Sequence, residues 1–207
     1  MLHKFSKELL DRVFSEIAKQ LKKRLVGKRF SYEIIIVGGA SILLNYSFRS
    51  STLDIDCLDV NDALMNDIIN NVSEKYKLPT GWINTDFTKT NSYTPKLIQY
   101  SSFYKSYSNN TLIIRTVKDE YLIAMKMVAA REYKHDYSDI FGIIKENKDL
   151  SFEQIKKAII NLYGSTEKVS DEMINFVKTL LISNSYTYED IEKKEEDHQH
   201  EILKIGK

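Results

Sequence analysis

The feature that most constrains the fold is the stretch VGGASILLNYSFRSSTLDIDCL, which begins at Val37. The run that leads into it, residues 31–37, is apolar and rich in β-branched side chains, which predicts a buried strand. The two glycines that follow, Gly38 and Gly39, predict a tight turn into a short helix over residues 40–46. A strand, a glycine turn and a helix in direct succession indicate an α/β unit.

The end of the same stretch carries two acidic residues. Asp54 and Asp56 alternate with Leu53, Ile55 and Cys57, which predicts a strand over residues 53–60 with both carboxylates on one face. The Cα atoms of residues i and i+2 on a strand are about 6.5 Å apart, so the two carboxylates repel unless a cation lies between them. Mg²⁺ or Mn²⁺ would suit this place, because hard cations take oxygen ligands and leave positions for phosphate and water. The alternative is an exposed strand end with two solvated acids.

The glycine pair has a chemical interpretation beside the structural one. A strand that runs into a helix can present backbone N–H groups to an anion, and glycines let a phosphate approach that backbone closely. The alternative is that Gly38 and Gly39 only allow the chain to turn. No Gly-Lys-Ser/Thr follows them and the spacing is not GxGxxG, so a P-loop and a dinucleotide fingerprint are excluded.

The order of the predicted elements divides the chain in two. An α/β half reaches residue 117, with helices over 5–24 and 61–76, a long surface loop over 78–95, and a strand hairpin over 97–106 and 111–116. Four helices follow over residues 118–132, 135–147, 151–163 and 169–183, with Ser151 as an N-cap. We therefore predict an α/β domain over 1–117 (a small mixed sheet with flanking helices), a helical C-terminal domain over 118–190, and a charged tail over 191–207 that is either a solvated helix or frayed.

Composition places the chain among soluble proteins. Hydrophobic residues make up 43% of it, enough for a sizeable core, and the net charge of +1 neither favours nor excludes a nucleic-acid partner. The single cysteine, Cys57, excludes an internal disulfide and fits a reducing compartment. With no signal-peptide pattern and no membrane-spanning run, we expect a cytoplasmic protein without a membrane partner.

Taken together, these motifs resemble the core of the polymerase-beta-type nucleotidyltransferase superfamily. The resemblance rests on an apolar strand, Gly-Gly, a short helix, and then RSSTLDID from Arg49 to Asp56, although the spacer over 40–53 is slightly longer than usual. It implies metal-dependent transfer of a nucleoside monophosphate from a nucleoside triphosphate (NTP) to an acceptor hydroxyl. It also implies roles for individual residues: Gly38, Gly39 and Ser41 bordering the triphosphate, Arg49 and Thr52 holding it, and Asp54 and Asp56 binding the metals.

Within the superfamily, Gly-Gly with Arg-x-x-Thr before Asp-Ile-Asp is similar to the AbiEii-type toxins and related uncharacterised bacterial nucleotidyltransferases. The superfamily usually supplies a third metal-binding carboxylate from a later strand, but the predicted strands over 97–106 and 111–116 contain no acid. The nearest candidate is Asp86, for which a loop residue in an Asx turn is the alternative.

A second constellation lies in the helical half. Lys126 falls within the apolar stripe of its helix, where an ammonium must reach solvent, a carboxylate such as Asp139, or a ligand phosphate. The pattern Leu-x-Ala-x-Lys, Ala-Arg and Asp-x-x-Asp-Ile also resembles the downstream segment of AbiEii-like proteins. That resemblance implies that Lys126 is catalytic and contacts the phosphates or the base of the nucleotide. It also implies that Asp139 or Asp136 is a catalytic acid or orients a catalytic group, while Arg131 could instead join the two helices.

The sequence does not determine which molecule accepts the nucleoside monophosphate. RNA (a tRNA end in the toxin-like case), a protein hydroxyl and a small molecule are all compatible with the motif. The resemblance further implies a toxin–antitoxin pair with a cognate antitoxin as partner. The rivals are an antibiotic-type nucleotidyltransferase, which usually has an aromatic residue where this chain has Ala40, and a catalytically degenerate nucleotide- or partner-binding domain.

Overall fold

A computed structural model describes residues 3–26, 30–58, 60, 62–132, 134–183 and 185–205. Positions 59 and 61, which fall in the predicted strand over 53–60 and the predicted helix over 61–76, lie outside these ranges. The chain divides into two compact units. Unit 1 comprises Met1–Lys89 and Ile98–Val117, and unit 2 comprises Thr90–Leu97 and Lys118–Lys207.

Unit 1 is built on a five-stranded mixed sheet, which confirms the predicted fold class. Its strands are β1 (Tyr32–Ile36), β2 (Ile55–Leu58), β3 (Ile83–Asn84), β4 (Ser101–Tyr107) and β5 (Leu112–Val117). Their order in the sheet is β3-β2-β1-β5-β4. The β1–β2 and β4–β5 pairs are antiparallel, whereas β1–β5 and β2–β3 are parallel.

Three helices accompany this sheet: α1 (Lys7–Arg24), α2 (Gly38–Asn45) and α3 (Ala63–Tyr76). Ser6 and Asp62 cap the N-termini of α1 and α3 with their side-chain oxygens. The apolar faces of α1 and α3 belong to one buried cluster with the inward residues of the sheet, including Ile34, Ile55 and Cys57. This core covers one face of the sheet. The strand residues that alternate with the core residues therefore project from the other face.

Three details of the predicted α/β half are wrong. The short helix begins at Gly38 rather than at residue 40, so the glycines form its first turn. The second strand begins at Ile55, which places Asp54 one residue before it. The predicted surface loop over 78–95 contains β3 and a 3₁₀ turn over Asp86–Lys89, because Trp82 and Phe87 within it are buried.

The predicted hairpin is confirmed, but its first strand begins at Ser101 rather than at residue 97, because Pro95–Tyr100 form a 3₁₀ helix. Strands β4 and β5 pair antiparallel with a register shift between Phe103 and Lys105. The connection turns through Ser108, Asn109 and Asn110, all with positive φ. Asparagine tolerates this left-handed region better than most residues, which explains its place in the turn.

Unit 2 is helical, as predicted. It contains α4 (Asp119–Ala129), α5 (Asp136–Glu146), α6 (Phe152–Tyr163), α7 (Asp171–Ile182) and α8 (Tyr188–Ile205). Ser151 caps α6 in a reciprocal capping box with Gln154, as its sequence position indicates. The charged segment near the C-terminus is the packed helix α8, which buries Ile191 and Glu195. Within the described ranges, no helix combines the length and apolarity needed to cross a membrane.

Candidate functional site

The candidate site in unit 1 begins where β1 passes into α2. Gly38 has a φ of +59°, a conformation that side-chain-bearing residues rarely adopt. A Cβ atom built on Gly38 would lie 3.3 Å from Oδ2 of Asp56. The Val37 N–H donates to the Asp56 backbone oxygen at 2.9 Å, which holds β2 against the start of α2. The first glycine is therefore required both by the backbone and by the carboxylate beside it.

The second glycine accommodates a cation. A Cβ atom built on Gly39 would lie 2.7 Å from Nη2 and 2.9 Å from Cζ of Arg49. The guanidinium also donates from Nε to the Ser51 backbone oxygen at 3.2 Å, which fixes part of the loop between α2 and β2. Since the N-terminus of a helix carries a partial positive charge, Arg49 adds to a local potential that favours an anion.

The first turn of α2 lacks a side-chain cap, because Val37 at the N-cap position has no polar atom to offer. One turn further, the hydroxyl of Ser41 is fully buried and has no hydrogen-bond partner among the residues that the structure describes. Side chains on a helix lean towards its N-terminus, so the Ser41 hydroxyl is directed towards the end of α2 that carries the two glycines. A buried hydroxyl without a partner costs free energy, which a bound phosphate oxygen would offset.

Of the two predicted metal-binding acids, Asp56 lies next to this helix start. Asp54 is exposed and Asp56 is half-buried, whereas Ile55 between them is fully buried. The predicted alternation is wrong at Leu53, which is 47% exposed because it precedes the strand. The hydroxyl of Thr52 donates to the Asp54 backbone oxygen at 3.1 Å, and the Thr52 backbone bridges to Phe5. In this structure Thr52 therefore fixes the backbone that leads into Asp54.

Strand β3 brings in a residue that the sequence analysis missed. In the parallel pairing of β2 with β3, Asn84 is the register partner of Asp56. Its Oδ1 accepts the Asp86 N–H at 2.8 Å, and its Nδ2 donates to the Gly81 backbone oxygen at 3.2 Å. A two-residue strand has too little periodicity to be recognised, so only the fold could reveal this neighbour.

Asp86, the predicted third metal-binding carboxylate, lies in the 3₁₀ turn that follows β3. Its side chain is 73% exposed and pairs with Lys89 at 2.6 Å. The part of the chain that the structure describes contains no group of three or more His, Cys, Asp or Glu residues placed to hold a metal ion. A metal held by Asp54 and Asp56 would therefore take its other ligands from different groups.

The second predicted constellation, in unit 2, is a buried ion-pair network. Nζ of Lys126 lies 2.8 Å from Oδ1 of Asp136 and 2.7 Å from Oδ2 of Asp139. Both carboxylates are fully buried, and the Lys126 side chain is 9% exposed. Arg131 completes the network, with its Nε 2.9 Å and its backbone N–H 3.1 Å from Oδ2 of Asp136. Burial disfavours ionised Asp136, but Lys126 and Arg131 hold the pKa of this carboxyl below its ordinary value.

Beside this network, the N-terminus of α5 receives a carboxylate that the sequence analysis did not single out. Glu195 of α8 accepts the Tyr137 N–H at 2.8 Å and the Ser138 hydroxyl at 2.5 Å. Burial raises the pKa of Glu195 to about 7, and the charge of Asp139 acts in the same direction, while the hydrogen bonds from Ser138 and Tyr137 oppose the rise. The sequence around Glu195 is rich in charged residues, so nothing in it distinguished Glu195 from its exposed neighbours.

A mixed sheet in which Asp54 leads into the second strand and Asp56 lies on it, beside a glycine pair that opens a helix, is the arrangement of a nucleotidyltransferase-like domain. Residues 12–195 match the family described as "Nucleotidyltransferase of unknown function (DUF6036)", and the chain belongs to this family. The comparison confirms the nucleotidyltransferase part of the sequence prediction. The special likeness to AbiEii-type toxins stays a prediction. No curated protein and no solved structure matches the chain.

Proposed function

We propose that this protein transfers a nucleoside monophosphate from an NTP to an acceptor hydroxyl, with Mg²⁺ or Mn²⁺ held by Asp54 and Asp56. The observation that carries the proposal is the convergence of Asp56 and Arg49 on the two glycines of α2, where each would meet a Cβ atom within 3.3 Å. A negative group, a positive group and an open helix N-terminus at one place suit a phosphate together with its metal.

The residues present fit such a metal. Gly38 leaves open the space beside Oδ2 of Asp56, and the exposed Asp54, one residue before β2, would supply a second carboxylate. When bound, the metal would neutralise charge on the phosphates and polarise the phosphorus that is attacked. On the protein side, the N–H groups of the first turn of α2 and the Arg49 guanidinium would bind phosphate oxygens. The buried Ser41 hydroxyl would gain the partner it lacks.

The chemistry requires in-line attack by the acceptor oxygen on the α-phosphorus. A P–O bond to the acceptor forms as the hydroxyl proton passes to solvent, the bond to the bridging oxygen breaks, and pyrophosphate leaves. Arg49 and the helix N-terminus would hold the departing phosphates, so they would stabilise the charge that develops there. Roles for Lys126 and Asp139 in this step rest on the resemblance alone, since the buried ion pairs between them also suit a purely structural role.

The finer parts of the proposal concern the acceptor. The toxin-like resemblance favours RNA, tRNA in particular, or a protein hydroxyl, with an antitoxin as the partner that restrains the activity. An antibiotic-type small-molecule acceptor is the competing possibility. A partner-binding domain without activity is the remaining rival, and the absence of a three-residue His, Cys, Asp or Glu group from the described part of the chain is the observation in its favour.

Nucleotide binding tests the proposal directly. We expect calorimetry to show Mg²⁺-dependent binding of at least one of ATP, GTP, CTP and UTP, and the Asp54→Asn/Asp56→Asn variant to lose it. Glu74→Gln is the matched control, because Glu74 is an exposed acid of unit 1 on α3. Folded wild-type protein that binds no NTP in the presence of Mg²⁺ would refute the proposed function.

The acceptor is then identified with the NTP that binds, labelled on its α-phosphate. Label transferred to tRNA, to the protein itself or to an aminoglycoside distinguishes the three acceptor classes. Metal-dependent NTP binding without transfer to any of them would favour the degenerate nucleotide-binding alternative.

A further inference from the structure

We infer that Asn84 is the third oxygen-bearing ligand of the Asp54–Asp56 metal site. This inference rests on the proposed function, because it concerns the same site. It explains how a pair of carboxylates can bind a divalent cation where the described residues provide no third His, Cys, Asp or Glu ligand.

The sheet places Asn84 beside Asp56. Strands β2 and β3 are parallel and pair Ile55 with Ile83 and Asp56 with Asn84. Register partners on adjacent strands point to the same face and lie about 5 Å apart. Ile55 and Ile83 both belong to the core, so the next pair along, Asp56 and Asn84, projects from the opposite face.

The hydrogen bonds of Asn84 determine which end of its amide is available. Nδ2 donates to the Gly81 backbone oxygen, and Oδ1 accepts the Asp86 N–H in an Asx turn. An amide oxygen has two acceptor positions, so Oδ1 retains one for a cation. The Cys57 thiol donates to the Asn84 backbone oxygen at 3.3 Å, which also ties the end of β3 to β2. The ligand oxygen is therefore held in place before any metal binds.

An amide in this place has a chemical consequence. Hard divalent cations accept carbonyl oxygens of asparagine as well as carboxylates. Two carboxylates and one amide leave the protein ligands with less negative charge than three carboxylates would, so the metal binds more weakly without nucleotide. The phosphates of the NTP would supply the remaining oxygen ligands, and metal and nucleotide would bind cooperatively.

Asp86 fits this position less well. It lies two residues beyond the end of β3, in a 3₁₀ turn, and its carboxylate pairs with Lys89. The Asp86 N–H is already held by Asn84. Asp86 thus contributes its backbone to the orientation of Asn84, and its carboxylate points to a lysine of its own turn.

Binding of Mn²⁺ to the full chain in the absence of nucleotide, followed by electron paramagnetic resonance, tests the assignment. We expect Asn84→Asp to bind Mn²⁺ about tenfold more tightly than the wild type and Asn84→Ala to bind it about tenfold more weakly. Mutations at metal sites commonly change the metal affinity by at least about this factor. Asp86→Asn should leave the affinity unchanged. When a chelator removes all metal, Asn84→Asp should melt at a lower temperature than the wild type, because three adjacent carboxylates repel. Addition of Mn²⁺ should reverse this difference in melting temperature.

Asn84→Asp retains the Asx turn, so it remains informative even if Asn84→Ala fails to fold. The assignment is overturned if both Asn84 variants bind Mn²⁺ like the wild type while Asp54→Asn/Asp56→Asn loses binding, or if Asp86→Asn abolishes it. In both cases the proposed function survives. If Asp54→Asn/Asp56→Asn binds Mn²⁺ as well as the wild type does, the metal site itself is wrong and the inference about Asn84 falls with it.

Discussion

The Lys126 cluster and the Asp54–Asp56 pair differ in burial, and this difference leads to different expectations for mutations in each. The Lys126 cluster buries two carboxylates completely and places the lysine between them. In the Asp54–Asp56 pair, one acid is exposed and the other half-buried beside a glycine that leaves the approach open. Buried charges that the chain itself pairs are costly to disturb, whereas partly exposed acids can be reached by a cation from solution. We therefore expect mutations in the first cluster to reduce stability and mutations in the second to reduce binding.

The largest effect on stability is expected from Lys126→Met. This change leaves two buried carboxylates without their shared cation, although Arg131 still contacts Asp136. Removing one partner of a buried ion pair typically costs about 3–5 kcal/mol in the free energy of unfolding. Denaturation followed by circular dichroism measures the loss, with Lys118→Met, an exposed lysine just before the same helix, as the control. A Lys126→Met protein as stable as the wild type would contradict the structural interpretation of the cluster.

A smaller effect on stability is expected from pH, through Glu195. Its pKa is about 7 in the folded chain against an ordinary value of 4.5, so the folded state binds the proton more tightly than the unfolded state. The contribution of Glu195 to the free energy of unfolding should therefore be largest below about pH 4.5 and be lost as the pH rises through about 7. Glu195→Gln retains acceptors for the α5 N-terminus and should remove this part of the pH dependence.

Glu196→Gln, the exposed acid next to Glu195 on α8, is the matched control for that measurement. Urea denaturation at pH values from 4 to 8 would provide the comparison. A wild-type profile that Glu195→Gln does not alter would show that Glu195 is not the source of this pH dependence.

The smallest effect on stability, with the clearest effect on binding, is expected from Gly39→Ala. The new methyl group would displace the guanidinium of Arg49, which lies at the end of a flexible side chain. Alanine is also the better helix former by about 1 kcal/mol, so the stability should be unchanged or slightly raised. The affinity for NTP should fall, because Arg49 leaves the start of α2. Calorimetry and thermal melting on the same sample test both expectations.

Asn45→Ala, at the other end of α2, controls for helix propensity without approaching Arg49. If Gly39→Ala binds NTP like Asn45→Ala and the wild type, the Arg49 guanidinium has no part in nucleotide binding.

How much of the site the sequence could predict depends on the range of the contacts involved. The alternation of Ile55 with its two flanking aspartates is local, and the structure retains it even though β2 starts only at Ile55. The close approach of Arg49 to Gly39 spans ten positions of the chain, and residue types alone gave no distance for it. Asn84 was missed because its strand has two residues and its relation to Asp56 exists only through sheet pairing.

In the Lys126 cluster, too, the sequence predicted only part of the contacts. An ammonium within an apolar stripe indicated a partner, and Asp139 was one of the acids considered. The sequence left open whether Asp136, Arg131 or a ligand would complete the arrangement, because the relative rotation of two helices is decided by packing. The structure joins all four side chains in one network.

The sequence by itself determined the elements with strong local signals: the helices of unit 2, the hairpin, the strand before the glycine pair, and the nucleotidyltransferase motif. Such signals are periodicities, caps and turn residues, and they act over a few neighbouring positions. Tertiary structure alone decided that a two-residue strand lies beside Asp56, that α2 begins at its first glycine, and that an acid of the charged C-terminal segment caps α5. These features depend on backbone pairing and burial between segments that are distant in the sequence. The free energy that such contacts contribute is gained only when the chain folds.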